Sequence, residues 1–166
     1  METGKFYATV QNKLHFAITG HTTEEIISKR ANANKPHMGL TTWRKAPAGK
    51  IYASDMSVAK KYLNAEEIQN LNRIVNLYLD FAELQASRGR LMKMKDWIER
   101  LDAFLQFSEY DILHNAGKVS AEVAKALAMQ EYEKYRPIQD WEYLSDFDRE
   151  TAQLKKLAVE RKNEKK

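Results

Sequence analysis

NAEEIQNLNRIVNLYLDFAELQASR, residues 64–88, is the stretch that decides the fold class. Asn64 is a natural helix cap, and Glu67 three residues on completes a capping box, each side chain serving the other's orphan backbone N–H. Neither Gly nor Pro interrupts the run before Gly89, a residue suited to the left-handed conformation in which helices commonly end. At ~100° per residue from Ile68, the apolar side chains cover roughly 220° of the circumference, wider than the stripe of an ordinary surface helix. That breadth predicts a long central helix over about 65–88 with neighbours on most sides. The polar remainder is narrow. Asn72, Asn76, Asp80 and Glu83, at spacings of four, four and three, make one row that is either a solvent face or the wall of a pocket.

On either side the chain reads as further helices. Phe6, Val10, Leu14, Ala17 and Ile18 recur at helical spacing over 5–19, and Gly20 ends that helix. Thr22 caps a second one, with Glu25 closing a capping box, and this helix ends near 33–34 ahead of Pro36. Residues 34–56 hold two prolines and two glycines, which predicts a long loop, with a short extended pair around 40–43 and 50–53. Beyond Gly89, a strongly apolar helix runs from about 96 to 107, and Ser108 and Asp111 restart a brief one that Gly117 stops. Ser120 caps the next, which ends before Pro137 and buries Val123, Ala124, Leu127 and Tyr132. Trp141, Leu144, Phe147, Leu154 and Leu157 mark a last helix, over 140 to about 160, with a narrow apolar stripe. The expectation is an all-α fold of about six to eight helices: a helical core domain over 1–139, then a C-terminal helix over 140–166, docked, extended or paired with a second copy.

Composition excludes several classes. The chain has 166 residues, enough to bury a core as one domain. It has no Cys, which rules out a disulfide framework and thiolate metal sites within it. No apolar run approaches the ~18–20 residues of a membrane span, and no signal-peptide pattern opens it, so a soluble, cytoplasmic protein is expected. The opening Met1-Glu2-Thr3-Gly4 reads as a start placed on a piece of something longer.

The net charge of +4 is unevenly spread, with nine Lys/Arg against four Asp/Glu in residues 1–60 and near balance afterwards. Within 26–54 stand Lys29, Arg30, Lys35, Arg44, Lys45 and Lys50 and no acid. A one-signed stretch suggests nucleic acid or another phosphate-bearing partner; the alternative is a solvated loop whose cations meet acids elsewhere. Trp43 beside Arg44 and Lys45 suits stacking on a base with a phosphate held alongside, or else plugs the loop onto the core. The candidate nucleic-acid-binding set is therefore Lys29, Arg30, Lys35, Trp43, Arg44 and Lys45.

A second constellation concerns catalysis. His15 and His21 bracket the end of the first helix, and with Arg73 and Asp80 they would make a general acid–base pocket if the first helix lay beside the polar row. The six-residue spacing of the histidines matches no metal motif, so no metal site is expected, and the residues leave the cofactor open. Phosphate-binding glycine loops, H-E-x-x-H and G-x-S-x-G are absent. His114 to Lys118 is too poor a match to the anion loop of the adenylylating Fic and Doc toxins.

Several short blocks keep a familiar order: Phe6-Tyr7-Ala8-Thr9-Val10-Gln11-Asn12-Lys13-Leu14-His15, Gly20-His21-Thr22, Pro36-His37-Met38-Gly39-Leu40-Thr41 with Trp43, Leu71-Asn72-Arg73-Ile74-Val75, Asp96-Trp97 and Ala116-Gly117-Lys118-Val119-Ser120. In these, from about residue 6 to 136, the chain resembles the C-terminal region of the RhuM virulence-protein family of bacteria; 46–54 and 137–166 depart from the pattern. The resemblance implies a mobile-element or pathogenicity-island setting and a full protein that begins with a DNA-binding-like domain. It implies no reaction and carries over no catalytic residue. Together with the basic block it favours a nucleic-acid-associated binding or oligomerisation module, with an enzyme acting on a nucleotide or nucleic acid as the alternative.

Overall fold

The structure, a computed structural model, describes residues 2–143 and 146–163, with backbone only at Asp146. Among the described residues six α-helices follow one another: α1 Thr3–Thr19, α2 Thr23–Arg30, α3 Ala65–Ser87, α4 Met94–Phe107, α5 Ala121–Glu142 and α6 Asp146–Asn163. Two 3₁₀ turns, Pro36–Gly39 and Ala59–Tyr62, punctuate the connection between α2 and α3. No strand occurs among the described residues, so the fold is all-α.

The capping boxes form as the sequence predicts. Thr22 accepts the Glu25 N–H while Glu25 accepts that of Thr22, and Asn64 and Glu67 do the same at the start of α3, at 2.8 and 3.0 Å. The place of α3 differs from expectation. It buries Leu71, Ile74 and Gln85 only, while Leu77, Leu79 and Leu84 are 54, 58 and 45 % exposed. Hydrophobic periodicity records which side chains are apolar, whereas burial depends on which elements arrive to cover them. Here α1 covers one side of α3, where Ile74 packs with Leu101 and Leu105 of α4 and with Leu14 of α1. The larger core lies elsewhere, between α2, α5 and the 31–63 segment, around the fully buried Ile26, Met38 and Ala128.

Four further expectations fail for identifiable reasons. The extended pair at 40–43 and 50–53 does not form, because the Gln139 side chain occupies the position a strand would take. Its Oε1 accepts the Ile51 N–H at 2.6 Å and its Nε2 donates to the Ile51 carbonyl at 3.0 Å. The same contacts, with Lys50 to Asp140 at 2.8 Å, fasten α5 beyond Pro137, so the helix runs through the proline despite the N–H it lacks. Its buried face is Ala124, Ala128, Tyr132 and Tyr135, with Val123 and Leu127 left half-exposed. Small alanines let α2 approach closely, and that approach selects the face. Finally, residues 108–119 form no helix: Glu109 turns the chain at φ 65°, and Lys13, buried in α1, donates to the Leu113 carbonyl at 2.8 Å while pairing with Asp102 at 2.8 Å.

Candidate nucleic-acid interface

The basic block is shaped by one acid. Asp55 is the sole acidic residue between Glu25 and Glu66, and it is completely buried. Its Oδ1 accepts the Arg44 N–H at 2.9 Å and the Lys61 ammonium at 2.6 Å, and its Oδ2 accepts the Tyr52 N–H at 2.9 Å. Burial pushes the carboxyl up, but Lys61 and the two backbone donors outweigh it and hold Asp55 below the usual carboxylate range. The carboxylate therefore ties both ends of the 44–52 loop to one point. Below it, Tyr62 donates its hydroxyl to the Met56 carbonyl at 2.6 Å, and burial with the nearby Asp55 charge raises its phenol far above the ordinary range.

The six predicted contact residues divide. Lys29, Lys35, Arg44 and Lys45 are exposed and form no ion pair among the described residues. Arg30 does not belong with them. It grips Glu67 through two bonds of 2.6 and 2.8 Å and donates to the Tyr62 carbonyl at 3.1 Å, tying α2 to the start of α3. That hydrogen bonding raises the Arg30 pKa and lowers that of Glu67. Trp43 takes the second of its two expected roles: it is buried, its indole N–H donates to the Gly49 carbonyl at 2.8 Å, and His37 stacks on it at 4.5 Å. The exposed aromatic of this loop is Tyr52, whose hydroxyl lies 3.3 Å from the Lys45 ammonium, with that ammonium 5.1 Å from the ring centroid.

The four residues of the catalytic constellation stand in different surroundings. His15 is buried, with Nδ1 3.0 Å from the Thr23 hydroxyl; burial, helped by the charge of Lys60, lowers its pKa to about 4 and keeps the imidazole neutral. His21 pairs with Glu25 at 3.5 Å. Arg73 and Asp80 stand on the exposed face of α3, and so do Asn72, Asn76 and Glu83, so the polar row is a solvent face. No cluster of three or more potential metal ligands occurs among the described residues.

Sequence reasoning missed Asp55, Tyr52 and Gln139. A lone acid inside a long basic stretch was the available signal for Asp55, since a charge without local partners finds distant ones or is itself used as an anchor. Gln139 carries no such signal, because an amide meeting a loop backbone is decided by tertiary packing.

The model of the Virulence protein RhuM family matches residues 1–143, and the chain belongs to that family. It is in that sense a virulence-associated protein. The match does not single out a C-terminal region of the family, and it takes in 46–54, which the resemblance had set aside; α6 lies beyond it. No curated protein and no solved structure matches the chain. No helix among the described residues is long and apolar enough to cross a membrane.

Proposed function

We infer that this RhuM-family chain is a nucleic-acid-associated binding module whose contact surface is the 44–52 loop, with Lys35 as a further cation. The observation that carries the reading is the Asp55 anchor, which presents Arg44, Lys45 and the exposed Tyr52 on one tied loop. Cations beside an exposed aromatic suit a phosphate backbone with a base stacked alongside, and they confer affinity with little sequence preference. Fluorescence anisotropy with a labelled single-stranded oligonucleotide tests it. Binding at low salt that falls steeply as salt rises supports the reading; no binding at low salt, or binding indifferent to salt, removes it.

The same reading includes self-association through α6. Phe147, Leu154 and Leu157 are 76, 67 and 54 % exposed on a helix that begins with Asp146, Asp148 and Glu150 and ends with Lys155, Lys156, Arg161 and Lys162. An antiparallel pair of such helices covers the apolar stripe and sets the acidic start of each against the basic end of the other. Leu144, expected to extend the stripe, lies outside the described residues.

A further inference from the structure

Away from the 44–52 loop, a cavity of about 550 Å³ opens between the end of α1, α2 and the irregular 112–119 segment. Its walls are apolar, with Phe16, Ile112 and Val119 among them, and polar residues line it from two sides. Lys29 comes from α2, and His114, Asn115 and Lys118 come from the irregular segment. The one carboxylate present, Glu25, is already engaged: it accepts the Lys118 N–H at 2.9 Å and the Thr22 N–H at 3.3 Å, and pairs with His21. Those donors stitch the segment to α2 and build the cavity wall. They also leave both lysine ammonium groups without a side-chain partner among the described residues. Asn115 accepts the Gly117 N–H through Oδ1 at 2.8 Å, which fixes its amide and leaves Nδ2 as the free end. Gly117 is required here twice over. Its φ is +83°, and a Cβ would stand 2.6 Å from the Thr22 methyl carbon.

We propose that this cavity binds a phosphomonoester whose body has an apolar face to lay against the walls: a nucleoside monophosphate, or the same group at the end of a strand. Unused donors on Lys29, Lys118 and Asn115 outnumber what a two-oxygen carboxylate accepts, whereas a phosphate offers three terminal oxygens and a charge of about −1.5 to −2. The apolar walls and a volume within the roughly 300–1,000 Å³ of small-molecule sites leave room for the body. This site is separate from the 44–52 loop, and its test is run in the full chain carrying Arg44→Ala and Lys45→Ala, so that failure of one leaves the other standing.

Isothermal titration calorimetry with adenosine and guanosine 5′-monophosphates, inorganic phosphate and the parent nucleosides is the experiment. A monophosphate is expected to bind at least about tenfold tighter than its nucleoside, and Lys29→Ala with Lys118→Ala to weaken it by about tenfold or more, as loss of charge-assisted contacts does. Lys118→Arg retains binding, and the melting temperature of the double variant stays at that of the parent, because neither side chain holds the fold together. Displacement of the bound nucleotide by a 5′-phosphorylated oligonucleotide but not by its 5′-hydroxyl twin assigns a strand end as the source, and displacement by neither assigns the free nucleotide. Equal displacement by both, equal affinity for nucleoside and nucleotide, absence of binding by both monophosphates, or an unchanged affinity in the double variant overturns the proposal.

Discussion

Replacing Asp55 by Ala removes the tie that shapes the proposed contact loop. Two partly buried backbone N–H groups, at Arg44 and Tyr52, lose their acceptor, and each such loss costs about 1–2 kcal/mol. Lys61, with a side chain 26 % exposed, regains water and adds little. The expected total is about 3 kcal/mol, and at roughly 2–4 °C per kcal/mol for a chain of this size the melting temperature falls by roughly 6–12 °C at pH 7. Asp55→Asn keeps one acceptor oxygen and falls between the two. The effect has a signed pH dependence. Because the folded carboxyl sits below its ordinary 3.8, the part of its contribution that depends on charge is present above that value and is lost as pH drops through the folded one, so the gap between wild type and variant narrows below about pH 3.8 without closing. Thermal unfolding followed by circular dichroism reads both effects. A variant within about 0.5 kcal/mol of wild type at neutral pH, the size of an ordinary surface change, refutes the anchoring role.

The other expectations concern the partners that the structure distinguishes. His15 stays neutral down to about pH 4 in the fold but takes up a proton near 6.5 when unfolded, so stability falls as pH drops across that window. At about 1.4 kcal/mol per pH unit the loss reaches about 3 kcal/mol, and urea unfolding of His15→Gln at pH 7 and 4.5 lacks that part of the slope. Arg30→Ala costs about 2 kcal/mol through the broken Glu67 pair yet leaves oligonucleotide affinity unchanged once folded, unlike Arg44→Ala. Trp43→Phe loses the bond to the Gly49 carbonyl and about 1–2 kcal/mol of stability, again without loss of affinity, as an anisotropy titration shows. Leu154→Glu places a charge in the exposed α6 stripe and converts a dimer to monomer in sedimentation velocity; a wild type that is monomeric at high concentration contradicts the pairing.

Local signals in this chain were legible and long-range ones were not. Thr22 with Glu25 and Asn64 with Glu67 mark their helix starts because each motif closes within four residues. The all-α class follows from the same periodicity. What periodicity does not contain is the choice of neighbours: α3 carries the widest apolar surface, yet α2, with two isoleucines in a polar helix, sits at the heart of the main core. Pro137 misled because its missing N–H is a local cost, while the Gln139 and Lys50 contacts that carry α5 past it come from a segment some ninety residues away. The basic block was visible as charge. Its division into exposed cations, a paired Arg30 and a buried Trp43 depends on Glu67, Gly49 and Asp55, of which charge counting singles out Asp55 alone.

The central claim is that exposed cations of this loop region meet phosphates, and the slope of log affinity against log salt tests it most directly. For Lys35→Ala, Arg44→Ala and Lys45→Ala combined, the slope flattens by about two to three units relative to wild type, close to one per cation removed, with the melting temperature maintained. An identical slope in the triple variant contradicts the claim, since the bound phosphates would then be neutralised somewhere else on the molecule.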